Sequence, residues 1–276
     1  MSVLVLRLAG PLQAWGDSSR YTVRSTNDAP TRSGVLGLLC AAEGRPRDAD
    51  LADLKDLRIA VRIDQPGSLL RDFHTARSLD GKNTMPLSTR FYRENAVYTV
   101  FVEGVSERVN HFESALRQPK FPLYLGRRSC VPTLPLVLEI VEGKIEDSIA
   151  SYPWQAEQWY RKRLERKGRG YWAEVLMDQE IPWESDSKNE RIIEETHRDV
   201  PVSFSRERRE YLWRIVRRAS VQLSAPNTAQ TRATPSPTKS DVLYAASETH
   251  SSGLPLGSSS ALAGAVPTDH DPMDLL

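Results

Sequence analysis

The chain has 276 residues, of which 39% are hydrophobic and 26% charged, and its formal net charge at pH 7 is +1. These values are typical of a soluble globular protein with one large domain or two small ones, and they exclude a nucleic-acid binder that relies on bulk positive charge. The two cysteines, Cys40 and Cys130, form no C-x-x-C metal knuckle, so we expect reduced thiols in a cytoplasmic protein. Residues 1–8 are too short, and charged too early, for a signal peptide or a membrane span.

The first half of the chain predicts four core strands and two helices. Apolar runs and periodicity place strands at residues 3–8, 57–64, 96–103 and 134–141, and helices at 32–43 and 105–117. The strand at 57–64 would carry Arg58 and Arg62 on its solvent face. The order β-α-β-β-α-β predicts an α+β fold of the ferredoxin-like (RRM-like) type.

Two further segments interrupt this pattern. Residues 9–31 form a long irregular connection, which in a compact domain is usually functional or disordered. A short helix is expected at 50–56, and a strand at 70–77 begins an excursion that returns only at 96. That excursion is too long for a tight turn and predicts a protruding hairpin.

The second half is less regular. Its pattern favours a charged helix at 155–167 and strands at 171–177, 200–204 and 211–223. From Ser224 onward Ser, Pro, Thr and Gly dominate, which predicts disorder. We therefore expect a domain at 1–145 with a thumb hairpin at about 77–93, a smaller mixed α/β region at 146–223, and a disordered tail at 224–276.

Two glycine-bearing segments are candidates for binding phosphate. Thr31 and Ser33 can cap the helix that Gly34 opens, Arg24, Asn27 and Arg32 lie close by in sequence, and the free N–H groups of a helix N-terminus suit an anion. The second segment is Gly126-Arg127-Arg128-Ser129, in which paired arginines match phosphate oxygens. An ordinary capped helix and a solvated basic turn are the competing interpretations, but two such elements on one rim favour an RNA grip.

Aromatic residues near arginines point in the same direction. Trp15, Tyr21, Phe91 and Tyr92 suit single-stranded RNA, whose splayed bases stack on rings. The first strand lacks the aromatics with which an RRM stacks bases, so we expect recognition by loops and by the hairpin.

Catalytic signals are few. His74, with Tyr92 or Lys82, would supply the base and acid of a metal-independent RNA cleavage, although a hydrogen-bonded strand histidine is the simpler interpretation. His197, with Glu194, Glu195 and Asp199 nearby, is interpreted as solvated surface. The sequence contains no P-loop and no G-x-S-x-G motif, and we expect neither a metal nor a cofactor.

Five stretches together resemble a known family. They are L-R-L-A-G-P-L-Q-A-W-G at 6–16, P-T-R-S-G-V-L-G-L-L-C-A-A at 30–42, D-F-H-T-A at 72–76, P-K-F-P-L-Y-L-G-R-R-S-C at 119–130 and R-D-V-P-V-S-F at 198–204. In this order they are similar to the "Cas five" family of RAMP proteins, in its type I-E form from CRISPR Cascade complexes. The resemblance covers residues 1 to about 223.

The resemblance implies a non-catalytic, cytoplasmic subunit that binds the 5′ handle of CRISPR RNA. Such a subunit caps the filament of backbone subunits and helps to seat the large subunit, so that target DNA is met only through the complex and no membrane is involved. The RNA contacts it implies are Arg24, Asn27, Thr31, Arg32, Ser33, Gly34, Gly126, Arg127, Arg128 and Ser129, with His74, Arg90 and Tyr92 at the thumb. Two alternatives stay open, namely an endoribonuclease that processes repeat RNA around His74, and a purely protein-binding scaffold.

Overall fold

The computed structural model describes residues 1–17, 22–168, 170–183, 192–205 and 207–223. The expected disorder of residues 224–276 and the expected role of Tyr21 therefore lie outside the described residues. In those ranges the strands are β1 (Ser2–Ala9), β2 (Leu12–Gln13), β3 (Val23–Arg24), β4 (Arg58–Gln65), β5 (Ser68–His74), β6 (Ser88–Glu94), β7 (Val97–Gly104), β8 (Val137–Glu142), β9 (Trp172–Asp178), β10 (Ile193–Ser203) and β11 (Glu210–Gln222). The helices are α1 (Arg32–Glu43), α2 (Ser106–Arg117), α3 (Ile145–Ser151) and α4 (Gln158–Arg166), with a 3₁₀ turn at Ala52–Leu54.

A seven-stranded sheet organises the protein, in the order β10-β11-β9-β4-β7-β1-β8. Every neighbouring pair in it is antiparallel, and β1 lies between β7 and β8. The predicted α+β class is therefore confirmed. Because β9 pairs directly with β4, residues 146–223 add their strands to the sheet of the first half. The division at residue 145 stays a prediction.

Both faces of this sheet are buried at β1, as the run of apolar residues in that strand requires. Leu4, Leu6 and Leu8 point to the face covered by α1 and α2. Val3 and Val5 point to the other face, where they pack with Ile145 and other residues of the second half. Successive residues of a strand face opposite ways, so one strand supplies both cores. No helix among the described residues is long and apolar enough to cross a membrane.

A smaller sheet stands beside the large one. In it β6 pairs with β5 and β2 in antiparallel fashion and with β3 in parallel. The predicted outgoing strand at 70–77 is thus confirmed as β5, which ends at His74. Its partner β6 was not predicted as a strand. The segment Arg77–Asn83 between the two strands falls outside the compact unit that contains the strands and helices, and within this segment Ser78 N–H donates to the Asn83 carbonyl at 2.9 Å.

Arg62 corrects one expectation about β4. Its side chain is fully buried, whereas the alternation of the strand predicted a solvent-facing position. The guanidinium forms an ion pair with Asp64, with Nε 2.6 Å from Oδ1, and donates to the carbonyls of Ile149, Tyr152 and Pro153 at 2.7–3.0 Å. Apolar and polar residues do alternate along β4, but residues 145–156 cover the face on which its polar residues lie.

Replacing Arg62 with Met should destabilise the protein by about 3–5 kcal/mol, because the buried carboxylate of Asp64 then loses its cation. Urea denaturation measures this loss. The control Arg117→Met removes an exposed pair with Glu113 and should cost less than about 0.5 kcal/mol. Equal losses in the two variants would show that Arg62 does not anchor the second half.

Candidate nucleic-acid interface

Trp15 packs in the core against Gly34, at the start of α1, which is the first segment predicted to bind phosphate. Its side chain is only 1% exposed, and a Cβ on Gly34 would lie 2.8 Å from its ring. Its backbone N–H donates to Thr26 Oγ1 at 2.8 Å, and its carbonyl accepts from Asn27 N–H at 2.6 Å. The prediction that Trp15 stacks on bases is therefore wrong, because the ring fixes the approach to α1 from within the core.

The second predicted segment lies against the neighbouring residue, Ala14. Gly126 has φ +85°, and a Cβ there would lie 1.7 Å from the Ala14 carbonyl oxygen. Ala14 N–H also donates to the Leu125 carbonyl at 3.1 Å. Since Gly34 contacts residue 15 and Gly126 contacts residue 14, the structure brings the two glycine-bearing segments together.

The N-terminus of α1 is already occupied by groups of the protein. Thr31 is the N-cap, and its hydroxyl accepts from Gly34 N–H at 3.2 Å. Arg32 N–H donates to the buried carboxylate of Asp199 at 2.6 Å. Of the predicted contacts in this turn, only Ser33 keeps a half-buried side chain beside the surface. The expected anion at this helix is thus Asp199, and not a phosphate.

The side chain of Arg32 turns inward as well. It forms an ion pair with Asp178, with Nη1 2.5 Å from Oδ2, and donates to the Leu57 carbonyl at 2.8 Å. Arg214 completes the group, because it bonds both Asp178 and Asp199 at 2.6 and 2.7 Å. Arg32 is therefore a structural residue, and its predicted role in RNA binding is wrong. The interpretation of Asp199 as solvated surface is wrong for the same reason.

A cluster of arginines lies beside this framework. β3 pairs in parallel with β6, so that Arg24 is opposite Arg90. Burial, followed by the charges of Arg90, Arg127 and Arg209, lowers the pKa of the Arg24 guanidinium. Among the described residues, the buried Nε groups of Arg24 and Arg90 and Nδ2 of Asn27 have no hydrogen-bond partner. Positive charge is concentrated here with unsatisfied donors.

Arg127 holds this cluster together. Its guanidinium donates to the carbonyls of Phe91 and Arg24, both at 3.1 Å, and lies 4.7 Å from the centre of the Tyr92 ring. Tyr92 is 3% exposed, so its predicted stacking on bases or action as a catalytic acid is wrong. Arg128 and Ser129, which follow Arg127, are exposed.

The proposed catalytic histidine lies on β5. His74 Nε2 is 2.8 Å from Asp72 Oδ2, and both side chains are nearly half exposed. Lys82 is exposed in the Arg77–Asn83 segment that follows β5. With Tyr92 buried beneath Arg127, the histidine and the tyrosine do not form an open acid–base pair.

Arg209 is the residue that the sequence interpretation missed. It is exposed in the loop before β11, and its charge acts on Arg24. The run R-E-R-R at 206–209 was a visible signal, but its distance in sequence from both predicted segments gave no reason to connect it with them.

Comparisons with known proteins agree on one family. Residues 3–217 match the family model described as CRISPR-associated protein (Cas_Cas5). The chain is 38% identical over 159 residues to the CRISPR system Cascade subunit CasD of Escherichia coli (strain K12), a match that covers 50% of this chain and 70% of the relative. Of the solved structures, a chain of a CRISPR RNA-guided surveillance complex is similar with TM-score 0.63 and 28% identity, covering 82% of this chain and 95% of that one. A structure titled as a Cas protein has TM-score 0.59 and 31% identity, covering 82% of this chain and all of that one.

Replacing Gly126 with Ala should displace the loop that carries Arg127, because the new methyl group meets a backbone oxygen. We expect a loss of about 3 kcal/mol or more in the free energy of unfolding, measured by urea denaturation. Gly81→Ala is the matched control, since Gly81 has a similar positive φ of +71° but has nothing within 4 Å of its Cβ position. That control should cost about 1 kcal/mol, from backbone strain alone. Equal costs would contradict the close packing of Gly126 on Ala14.

Proposed function

Because the chain belongs to the Cas5 family of CRISPR-associated proteins, we propose that it is a subunit of a Cascade-type surveillance complex and that it holds the 5′ handle of the CRISPR RNA. One observation carries the second part of this proposal. Arg24 lies opposite Arg90 across the β3–β6 pair, Arg127 donates to the Arg24 carbonyl at 3.1 Å, and the charges of Arg90, Arg127 and Arg209 lower the pKa of the Arg24 guanidinium. Like charges held together destabilise a folded protein unless an anion binds between them.

The chemistry of that anion follows from the donors. Guanidinium groups pair with phosphate oxygens through two parallel hydrogen bonds, and several of them along one groove suit a chain of phosphates. Four elements that are distant in sequence supply the cluster. These are β3, β6, the loop after Leu125 and the loop before β11. An RNA backbone that passes over this cluster would meet all of them.

The contacts that we propose differ from those first expected. The direct set consists of Arg24, Asn27, Arg90, Arg128, Ser129 and Arg209, with Ser33 at the helix start. Arg127 positions this set, because two of its hydrogen bonds hold the backbone of β3 and β6 in place. Thr31, Arg32 and Gly34 act by building α1.

We assign the strands β4-β7-β1-β8, with α1 and α2 on one face, to the ferredoxin-like domain of this family. The β5–β6 hairpin lies between the second and third of these strands in sequence and corresponds to the thumb. Its Leu69 and Phe73 are half exposed, and the Arg71 guanidinium lies 4.7 Å from the Phe73 ring. Such a mixed apolar and cationic face suits a neighbouring backbone subunit together with the guide RNA. We further propose that the subunit caps the filament of backbone subunits and helps to seat the large subunit.

The subunit is proposed to act in the cytoplasm by binding alone, without metal or cofactor. Within the described ranges, no group of three or more His, Cys, Asp or Glu residues has the arrangement of a metal site. His74 is paired with Asp72, and no acid of suitable exposure faces it on β6. It therefore serves as a polar contact at the base of the thumb.

The double variant Arg24→Gln/Arg90→Gln should bind handle RNA more weakly. Each phosphate contact that is lost lowers the slope of log affinity against log salt by ~0.7 for a single strand, so the slope should fall by about 1.4. Fluorescence anisotropy with labelled handle RNA at several salt concentrations measures this change, on the chain alone and on the reconstituted complex. The control Arg117→Gln/Arg217→Gln removes two arginines that are paired with acids elsewhere and should leave the slope unchanged.

An unchanged slope in the Arg24/Arg90 variant would overturn the assignment of the handle to this cluster. Repeat RNA incubated with the wild-type chain in EDTA tests the enzyme alternative in the same experiment, and a cleaved product would establish it. Failure of the chain to bind handle RNA, alone or assembled, would favour the protein-binding scaffold.

A further inference from the structure

Helix α4 carries an exposed basic face that the proposed handle site does not use. At 3.6 residues per turn, five consecutive positions around the helix cover an arc of about 140°. In angular order they are Lys162, Arg166, Trp159, Arg163 and the C-cap residue Lys167. All five side chains are exposed, and Trp159 lies in the middle of the arc with 53% of its surface accessible.

The inward side of α4 packs against the core, and this packing fixes the position of the exposed basic face. Tyr160 and Leu164 pack against the apolar cluster that contains Trp154. Arg161, the one cation of the helix that points inward, donates to the Ala156 carbonyl at 2.7 Å and lies over the Trp154 ring. Trp154 in turn donates to the Asp64 carbonyl at 2.9 Å. The helix is too short to be stable alone, and these contacts hold it in place.

The outward cations of α4 are also unneutralised. Within the part of the chain that the structure describes, the side chains of Lys162, Arg163, Arg166 and Lys167 form no ion pair or hydrogen bond. Of the nearby acids, Glu165 accepts from the Tyr171 hydroxyl at 2.8 Å. Glu157 is paired with Arg7. Several other surface arginines are matched with acids, as in Arg45–Asp53, Arg117–Glu113, Arg217–Glu194 and Arg218–Glu174.

We propose that this face of α4 is a second nucleic-acid surface, which binds a single strand with its phosphates on the four cations and a base on Trp159. An exposed indole surrounded by unpaired Lys and Arg is the combination by which proteins bind single strands without reading their sequence, because every base has a face that can stack. A protein partner would require more apolar area than one ring supplies at the centre of the patch.

This surface is separate from the handle site. α4 packs on the face of the large sheet that carries Val3 and Val5, whereas α1 and its approach pack on the face that carries Leu4. The proposed surface on α4 and the start of α1 therefore lie on opposite faces of the large sheet. The inference goes beyond the proposed function and can fail independently of it.

The test uses the full-length chain and labelled oligothymidylate and oligouridylate that lack any handle sequence. The variant Lys162→Gln/Lys167→Gln should lower the salt slope of binding by about 1.4, and Trp159→Leu should weaken binding roughly 5- to 100-fold. Lys55→Gln/Lys144→Gln is the matched control, since both lysines are exposed and their loss changes the net charge equally. Circular dichroism checks that each variant is folded.

The proposal is supported if the α4 variants lose binding, the control does not, and Arg24→Gln/Arg90→Gln retains it. Comparison of the two oligonucleotides then shows whether DNA or RNA is preferred. Equal losses in the α4 variant and the lysine control, or an unchanged affinity in Trp159→Leu, would overturn the proposal. Competition by polyglutamate as effective as that by an oligonucleotide of equal charge would also overturn it, in favour of an acidic protein partner.

Discussion

A buried group of four charges sets the geometry on which the rest of this protein depends. Asp199 on β10 accepts from the first N–H of α1, and Arg214 joins it to Asp178 on β9. Arg32, at the start of α1, closes the group through Asp178. Buried charges persist only when each has its partner, so the helix cannot shift relative to β9–β11 without leaving a charge unpaired. The start of α1, and with it the Trp15 support, is thereby fixed.

That arrangement also bears on where we propose the handle site, away from the start of α1. The N-terminus of α1 carries a partial positive charge that an external phosphate would otherwise satisfy. The carboxylate of Asp199 neutralises this partial charge internally. In the proposed function the external anion therefore binds at Arg24 and its neighbours instead. The glycines still matter, although through packing and not through contact with a ligand. Gly34 admits the Trp15 ring, and Gly126 admits the Ala14 carbonyl.

The sequence predicted the elements better than it predicted the environment of their charged residues. Apolar periodicity placed β1, β4, β7 and both helices of the first half within a few residues, because that signal is local. The burial of Arg62 depends on residues 149–153, and that of Arg32 on Asp178 and Asp199, which lie far along the chain. Strand alternation marks a polar face, but it does not say whether another segment will cover that face.

The same limit applies to the candidate site. Arg24 and Arg127 were identified from local composition and Arg90 through the family resemblance, and the structure brings the three together. Trp15 and Tyr92 were assigned to base stacking because they are aromatic and lie near arginines, yet both are core residues. Aromatic residues near a basic segment serve equally well as its support, and only their exposure separates the two roles. By that criterion Trp159 is a better stacking candidate than either.

The two basic surfaces differ in their electrostatic consequences. In the handle cluster the cations are partly buried and act on one another, so the pKa of Arg24 is lowered and its charged form is destabilised in the folded protein. In the proposed function a phosphate chain on this cluster would relieve that repulsion, which favours a ligand that reaches all four arginines. On α4 the cations are solvated and little strained, so binding there releases counterions without relieving internal repulsion. Such a surface favours loose, reversible contact with many sequences, whereas the buried cluster favours one strand held in one place.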